Sequence, residues 1–476
     1  MASTLFSLLC LSSLFFSLAH SSLLLPLSHS LSFHNATAHG LLKSTAARSR
    51  ARFRRQVSLP LSPGADYTIS FSFGSQMVSL YMDTGSDVVW LPCRPFECIL
   101  CEGKYSPSAV PHSAPLNLTS AAAVHCKSAA CSAVHSSLPS SDLCAIAKCP
   151  LESIEISDCK SFHCPPFYYA YGDGSFVGKL YQDTLSIPKA APPLELPKFT
   201  FGCANSALAE PVGVAGFGRG ALSLPAQIAA ASPDIGNYFS YCLISHSFDK
   251  LQARRPSPLI LGRYEKEMKN DVTETQEFVY YTYTPMLDNP KHKYFYCVGL
   301  EGVSIGKRRI PAPASLQRVD RRGNGGMVVD SGTTFTMLPR RFYKAVVGEF
   351  DRRVGAVYRR ARAVEDRTGL GPCYYGKEEN EKLAAKVPKL VFHFGGNASV
   401  EMPRRNYFHE FLDSDRKLKV GCMVVMDGGD EAESGGGPAG LLGNYQQQGF
   451  EVVYDLEAKR VGFARRKCAS LWDRLS

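Results

Sequence analysis

The chain has 476 residues, of which 45% are hydrophobic and 20% are charged, and its formal net charge is +10. This balance argues against a disordered chain and allows two domains, each with its own core. Part of the positive charge comes from five arginines between residues 48 and 55, and no basic helix or aromatic stacking module follows, so we expect no nucleic-acid partner.

The N-terminus is predicted to be a secretory signal peptide over residues 1–22, with a short apolar run at 5–18 and small residues after it. A signal anchor is the alternative, since no Lys or Arg precedes the run. It is disfavoured because no later stretch of about 20 uninterrupted apolar residues occurs. We therefore expect an extracellular protein without stable membrane insertion.

Residues 23–60 show no compact element and are predicted to be a prosegment, with a possible processing site at 52–55. From residue 66 onward the sequence consists of short alternating runs, such as 67–73, 77–82 and 88–91, separated by Gly, Pro and Ser. This pattern predicts a mainly β protein. The best helical pattern lies at 339–357, with a weaker continuation at 363–365.

Two short motifs share the order apolar, Asp, Thr or Ser, Gly, Ser or Thr. They are Met82 to Ser86 and Val329 to Thr333, and each follows a strand-like run. One such motif alone is most often an Asx turn that caps a loop. The matched pair instead predicts that Asp83 and Asp330 meet in one site.

The two halves of the chain repeat each other in outline. An apolar-Gly run follows each Asp motif more than 100 residues later, at 214–218 and at 440–443. This spacing predicts an internal duplication. We expect an N-terminal lobe at 61–262, a connector at 263–279 and a C-terminal lobe at 280–476.

Two adjacent carboxyls can hydrolyse a peptide bond without a metal or a covalent nucleophile. Both cannot ionise easily at short range, so the pair shares one proton. The protonated carboxyl polarises the scissile carbonyl, and the ionised one takes a proton from the attacking water. We therefore expect protein or peptide substrates, and no cofactor or metal.

The residues around the two Asp fit this chemistry. Gly85 and Gly332 allow a tight turn that brings backbone N–H groups against the carboxylates. Ser86 and Thr333 are expected to donate hydrogen bonds to the outer carboxylate oxygens. Thr84 and Ser331 are expected to hold the two loops in register across the dyad.

A third feature is the alternating aromatic run that starts at Tyr168 and leads into the turn Gly172-Asp173-Gly174. It predicts a β-hairpin. The hairpin is either purely structural or a mobile lid whose Tyr171 closes over substrate and excludes water.

The chain contains 16 cysteines, and Cys10 would leave with the signal peptide. Their density suits disulfides in an oxidising compartment. Zinc at Cys93, Cys98 and Cys101 is a weaker alternative, because no second ligand pair with suitable spacing accompanies them. Since 15 is odd, one thiol should be free or bonded between molecules, and Cys297 is the candidate. Sequons at Asn35, Asn117 and Asn397 predict surface loops that accept glycans.

Taken together, these residues resemble the pepsin-like aspartic proteases, and most closely their plant nepenthesin-like branch, from about residue 65 to the C-terminus. The resemblance implies a bilobal, mainly β acid-protease fold with a cleft between two pseudo-symmetric lobes. It also implies that Tyr171 is the flap tyrosine, with Gly172 and Asp173 beside it, and that Trp90 belongs to the same flap and substrate region. The runs at 440–449 and 461–464 resemble the C-terminal signature of the family.

The same resemblance implies a set of disulfides: Cys93–Cys98, Cys101–Cys203, Cys126–Cys164, Cys242–Cys468 and Cys373–Cys422. Cys131 would then pair with Cys144, Cys149 or Cys159. The leading functional expectation is a secreted, monomeric aspartic endopeptidase, made as a zymogen, acid-active, and located in the apoplast or cell wall. The alternative is a non-catalytic protein on the same scaffold, of the xylanase-inhibitor-like type.

Overall fold

The computed structural model describes residues 57–61, 67–99, 114–135, 162–170, 175–187, 194–208, 213–233, 235, 237–245, 257–262, 279–333, 335–368, 370–378, 382–413, 418–429 and 437–475. Several predictions lie outside these residues. They are the signal peptide, most of the prosegment and the connector, the sequon at Asn35, the flap residues Tyr171, Gly172 and Asp173, and four cysteines, Cys101, Cys144, Cys149 and Cys159.

The described chain is mainly β, as predicted, and its N-terminal half holds eleven strands. They are β1 (Val57–Leu61), β2 (Thr68–Phe73), β3 (Gln76–Asp83), β4 (Trp90–Ile99), β5 (Ala122–Ala123), β6 (Phe167–Ala170), β7 (Ser175–Ile187), β8 (Leu194–Leu208), β9 (Val214–Gly216), β10 (Tyr238–Cys242) and β11 (Ser257–Leu261). The predicted boundary between prosegment and lobe at residue 60 falls inside β1, which pairs with β11.

The C-terminal half holds sixteen more described strands. They are β12 (Thr282–Leu287), β13 (Cys297–Val298), β14 (Leu300–Ile305), β15 (Arg308–Pro311), β16 (Met327–Val329), β17 (Thr336–Leu338), β18 (Arg359–Arg360), β19 (Cys373–Tyr375), β20 (Leu390–Phe394), β21 (Ala398–Met402), β22 (Phe408–Asp413), β23 (Leu418–Met423), β24 (Val425–Asp427), β25 (Gly440–Leu442), β26 (Phe450–Asp455) and β27 (Arg460–Arg465).

The helices are short apart from one. Those in the described ranges are α1 (Ala129–Val134), α2 (Leu224–Ala231), α3 (Ala314–Gln317), α4 (Arg340–Val354), α5 (Arg362–Thr368), α6 (Arg404–Tyr407), α7 (Asn444–Gln447) and α8 (Cys468–Leu475), with a 3-10 turn at Leu383–Lys386. The predicted helix at 339–357 is α4, whose apolar residues at every fourth position are buried: Phe342, Val346, Phe350 and Val354. Within the described residues, no helix is both long and apolar enough to cross a lipid bilayer.

The two halves repeat one four-strand order, which confirms the predicted duplication. In the first half β3 pairs with β9 in parallel, β9 with β4 antiparallel, and β4 with β8 in parallel. In the second half β16, β25, β17 and β24 follow the same order with the same directions. Each Asp motif follows the first strand of its repeat.

One sheet joins the two halves. Its strand order is β1-β11-β10-β26-β27-β12-β13-β16-β25-β17-β24, so strands of the first half continue into the second through the pairing of β10 with β26. The first half also has its own eight-stranded sheet, and the second half adds two four-stranded sheets. The fold is therefore bilobal, with the two lobes fixed to a common sheet.

Four disulfides have both cysteines among the described residues. Two of them are pairs that the resemblance implied, Cys242–Cys468 and Cys373–Cys422. The other two, Cys93–Cys203 and Cys131–Cys164, differ from the implied pairing. Cys297 is buried and forms no disulfide, in line with the expectation for the free thiol.

The implied Cys93–Cys98 and Cys101–Cys203 bonds are wrong. Cys93 and Cys98 lie on the same strand, β4, whereas the parallel neighbour β8 brings Cys203 to a Cα–Cα distance of 5.5 Å from Cys93. Cys98 is also disulfide-bonded, but its partner is neither Cys93 nor Cys203.

The implied Cys126–Cys164 bond is also wrong, as is the pairing of Cys131 with the 144, 149 and 159 group. The short helix α1 was not predicted; its N-cap Ser128 accepts a hydrogen bond from Cys131 N at 3.1 Å. This turn brings Cys131 to a Cα–Cα distance of 5.7 Å from Cys164, and the two cysteines are bonded.

Candidate active site

Asp83 and Asp330 are fixed at the ends of two short parallel ladders. Asp83 ends β3 and lies beside Gly216 of β9, and its carbonyl accepts a hydrogen bond from Phe217 N at 2.7 Å. Asp330 directly follows β16, and its N–H donates to Leu442 O at 3.0 Å. The duplicated fold thus places one carboxyl from each half at the candidate active site.

Four hydrogen bonds join the two Asp turns across the lobes. Thr84 N donates to Ser331 Oγ at 3.0 Å, and Ser331 N donates to Thr84 Oγ1 at 2.9 Å. Each hydroxyl then donates to a carbonyl of the opposite turn, Thr84 to Val329 O at 2.9 Å and Ser331 to Met82 O at 3.0 Å. Thr84 and Ser331 are buried, so these bonds hold the turns in register without competition from water.

Backbone and hydroxyl donors hold both carboxylates. Gly85 N donates to Asp83 Oδ1 at 2.8 Å, and Gly332 N donates to Asp330 Oδ1 at 2.8 Å. The Thr333 hydroxyl donates to Asp330 Oδ2 at 2.5 Å. Ser86, at the corresponding place in the first motif, has a buried hydroxyl that makes no hydrogen bond of normal geometry, although it lies close enough to lower the pKa of Asp83.

The two carboxyls lie against both motif glycines. A Cβ atom on Gly85 would lie 2.9 Å from Asp330 Oδ1 and 3.1 Å from Asp83 Oδ1. A Cβ atom on Gly332 would lie 2.7 Å from Asp83 Cγ. Only glycine fits at these two positions, and both carboxyls are within reach of one small ligand.

Burial and proximity change the acidity of the pair. Asp83 and Asp330 are 8% and 7% exposed. Burial raises the pKa of Asp83 well above its usual value, the negative charge of Asp330 raises it further, and the Ser86 hydroxyl and the Gly85 N–H lower it. The dyad therefore retains a proton that an isolated carboxylate would release.

A buried polar layer supports the second turn, and sequence reasoning assigned it no role. Asn444 Nδ2 donates to Ser331 O at 3.0 Å, and Gln447 Nε2 donates to Asp330 O at 3.1 Å. Tyr241 from the first half hydrogen-bonds to Gln447 Oε1 and lies 2.8 Å from the Tyr454 hydroxyl. The sequence feature that could have indicated this layer is the run at 440–449, which contains Asn444 and Gln447 and resembles the C-terminal signature of the family.

Asp87 is a third buried carboxyl near the dyad that was not predicted. Burial raises its pKa to about 6. Its Oδ2 accepts a 3.4 Å hydrogen bond from Leu222 N, and its Oδ1 has no hydrogen-bond partner among the described residues. A Cβ atom on Gly220 would lie 2.5 Å from Asp87 Cγ, so the loop of β9 packs directly on this carboxyl.

The strands of the flap hairpin, β6 and β7, form as predicted, with Tyr169 opposite Phe176. Tyr169 hydrogen-bonds to Tyr294. Burial raises the pKa of both tyrosines and the charge of Asp83 adds to this rise, so both lie near the dyad. Trp90 differs from expectation. It is completely buried and stacks on Phe176 at 4.2 Å, so it packs beneath the hairpin and has no surface to offer a substrate.

The remaining predicted site residues lie on the surface. Asn117 is exposed, and Asn397 is exposed in the turn between β20 and β21 with φ of 60°. One group in the described chain has metal-ligand geometry, Cys131, His135 and Cys164. Its two sulfurs form a disulfide, so they are not available as thiolate ligands.

Two family models match most of the chain. Residues 67–263 match the model described as xylanase inhibitor N-terminal, and residues 295–465 match the model described as xylanase inhibitor C-terminal. The chain is 59% identical over 441 residues to a probable aspartyl protease of Arabidopsis thaliana, covering 88% of this chain and 85% of that protein. It is 27% identical to the aspartic proteinase nepenthesin-1 of Nepenthes gracilis, covering 92% and 88%.

Solved structures with low sequence identity share the fold. Basic 7S globulin from soybean superposes with a TM-score of 0.59 at 19% identity, covering 88% of this chain and 99% of that one. The aspartic proteinase from Irpex lacteus superposes with a TM-score of 0.53 at 18% identity, covering 87% and 98%. These matches establish the bilobal architecture.

Proposed function

The chain belongs to the plant pepsin-like aspartic protease family, and we propose that it is an active aspartic endopeptidase whose catalytic residues are Asp83 and Asp330. The observation that supports this most strongly is the pair of buried carboxyls held against each other by cross-lobe hydrogen bonds. Such a pair costs stability and has no structural use that a neutral pair would not serve better.

The proposed mechanism follows from the shared proton. With Asp83 protonated, its O–H polarises the scissile carbonyl, and ionised Asp330 accepts a proton from the attacking water. The Thr333 hydroxyl and the Gly332 N–H stabilise the ionised form of Asp330 before it accepts this proton. The tetrahedral intermediate collapses when the leaving nitrogen receives a proton from the dyad.

We further propose that the substrates are proteins or peptides and that the enzyme acts as a monomer. It would enter the secretory pathway and act outside the cell, in the apoplast or cell wall. The buried disulfides support an oxidising compartment. Removal of the N-terminal prosegment would expose the cleft.

A second candidate function is a binding protein without catalysis, such as an inhibitor of polysaccharide hydrolases. The descriptions of the two matching family models and the globulin with the same fold favour it. It would not need the dyad. The paired Asp turns, joined by four hydrogen bonds, therefore favour the protease.

The test compares the wild-type chain with Asp83→Asn and Asp330→Asn in two assays, cleavage of a denatured protein and inhibition of a xylanase. Both variants keep side-chain size, so thermal unfolding should show that they fold. We expect cleavage by the wild type alone and no xylanase inhibition by any of the three. Equal cleavage by wild type and variants, or xylanase inhibition by all three without cleavage, would contradict the proposal.

A further inference from the structure

A charged pocket of about 590 Å³ lies beside the candidate active site. Arg219, Lys293 and Arg321 line it, together with Asp288 and Asp320. No feature of the dyad chemistry uses these residues. Their position and their charge indicate which chemical class of ligand the pocket binds.

The pocket continues the wall of the active site. Gly218 N donates to Ser86 O at 2.8 Å, next to the first Asp motif, and the following residue, Arg219, donates its N–H to Tyr294 O at 2.9 Å. The Tyr294 hydroxyl hydrogen-bonds to Tyr169, which lies on strand β6. Tyr294 therefore contacts both the strand that carries Tyr169 and Arg219, which lines the pocket.

The pocket has an excess of unpaired positive charge. Its ion pairs are Arg219 with Asp288 at 3.1 Å and Lys459 with Asp288 at 3.8 Å. Lys293 and Arg321 are exposed at its edge, and neither takes part in any ion pair within the described residues. Arg318, just before the second loop, is likewise exposed and unpaired there.

The two carboxylates of the pocket are already occupied. Asp288 is held between Arg219 and Lys459. Asp320 Oδ1 accepts hydrogen bonds from Arg322 N and Asn324 N, both at 2.8 Å, which holds the pKa of this carboxyl below its usual value. Neither carboxylate forms an ion pair with Lys293 or Arg321 within the described residues, and the three cations and two carboxylates of the lining leave a net charge of +1.

A buried asparagine fixes the two loops that carry the cations. Asn289 is 2% exposed, and its Nδ2 donates to Gly323 O at 3.0 Å in the second loop. Its Oδ1 accepts from Lys291 N at 3.0 Å and His292 N at 2.8 Å in the first loop. The backbone beneath Lys293 and Arg321 is therefore held in place before any ligand binds.

We propose that this pocket is a substrate subsite for an acidic side chain, Glu or Asp, a few residues from the scissile bond of the bound peptide. An extended peptide advances about 3.3 Å per residue, so a subsite beyond Tyr294 reads a residue near the cleavage site, not at it. The proposal rests on the proposed endopeptidase function and names one element of its specificity.

The test uses fluorogenic peptides with one common apolar centre and a single Glu, or a single Gln, at each of four positions on either side. We expect the Glu peptide to be cleaved with a kcat/KM about two- to fivefold higher than its Gln counterpart at one position on one side, as screened ion pairs allow. The preference should vanish at about pH 3, where the substrate Glu, with a pKa of about 4.3, is protonated.

The variant Lys293→Gln with Arg321→Gln should bring the ratio of kcat/KM for the Glu peptide to that for its Gln counterpart to about one. Lys179→Gln with Lys467→Gln, which removes two exposed charges elsewhere, is the matched control and should keep the preference. Equal rates for Glu and Gln peptides at every position would overturn the proposal. A preference that survives in the Lys293 and Arg321 variant would overturn it as well.

Binding separates this proposal from the proposed function. The same peptides, labelled for fluorescence anisotropy, are added to the Asp83→Asn variant, with and without the Lys293 and Arg321 changes. Tighter binding of one Glu peptide that depends on the two cations supports the subsite even if the wild type cleaves nothing. Equal binding of all Glu and Gln peptides overturns it, whatever the outcome of the cleavage assay.

Discussion

At the scale of single residues, the two carboxyls of the dyad differ in the hydrogen-bond donors that surround them. Asp330 receives hydrogen bonds from the Gly332 and Thr333 N–H groups and from the Thr333 hydroxyl. Asp83 receives one from the Gly85 N–H, while the Ser86 hydroxyl makes none of normal geometry. Because hydrogen bonds to a carboxylate favour its ionised form, this asymmetry favours the proton on Asp83.

Asp87 gives a prediction about pH and stability. Its pKa is about 6 in the folded chain against 3.8 for the ordinary side chain, so the folded state binds the proton more tightly. Stability then falls as the pH rises from about 4 to about 6, by up to about 3 kcal/mol from this group. Asp87→Asn stays neutral and should gain stability relative to wild type as the pH rises.

The measurement is thermal unfolding of both proteins at pH 4 and pH 7. Asp288→Asn, which removes an exposed carboxyl, is the control for the change from carboxyl to amide. The Asp87→Asn midpoint should move upward relative to wild type between the two pH values. An offset that is the same at both would show that Asp87 does not hold its proton as described.

At the scale of secondary-structure elements, the strand-turn units were largely predictable because they obey local rules. Alternation predicted the strands before each Asp, and the fourfold spacing from Phe342 to Val354 predicted helix α4. Trp90 was misjudged because its position in the motif does not reveal that β7 covers it with Phe176. The two loops of the charged pocket were also missed, since the sequence does not reveal that the Asn289 side chain hydrogen-bonds from one loop to the other.

The space around two glycines predicts different effects for their replacement by Ala: a loss of activity at Gly332 and a gain in stability at Gly348. At Gly332 the new Cβ would displace the Asp83 carboxyl, and a shift of this size should lower kcat/KM by about 100-fold or more. At Gly348, exposed on α4 with no atom within 4 Å, Ala should raise the free energy of unfolding by up to about 1 kcal/mol without changing activity. Steady-state kinetics and thermal unfolding check both; a fully active Gly332→Ala enzyme would contradict the geometry.

At the scale of the whole molecule, the duplication could be predicted from the sequence because both halves keep the same motif. The disulfide pairing could not be predicted. The bonds of Cys93 and Cys131 depend on which strand or helix lies next to them in space, and the family pattern did not transfer to a region with additional cysteines. The common sheet was likewise invisible in the sequence, because the pairing of β10 with β26 joins segments more than 200 residues apart.

The hydrogen bonds between the lobes predict that two substitutions of Thr84 differ in their stability and activity. Thr84→Val removes the hydroxyl and leaves the Ser331 N–H and the Val329 carbonyl buried without partners, at a cost of about 2–4 kcal/mol. Thr84→Ser keeps the hydroxyl and should lose about 1 kcal/mol for one buried methyl group. Thermal unfolding and kcat/KM should therefore rank wild type first, Ser second and Val last. A Val variant as stable and active as the Ser variant would show that these bonds do not hold the dyad.

The measurement that tests the central claim most directly is hydrolysis of a denatured protein by the purified chain, after removal of the prosegment, from pH 2 to pH 8 with and without pepstatin. Two carboxyls that share one proton predict maximal cleavage in acid, a decline as the pH rises and the dyad loses its proton, and complete loss with pepstatin. Absence of cleavage at every pH, or cleavage that is greatest at neutral pH and insensitive to pepstatin, would contradict the two-aspartate mechanism.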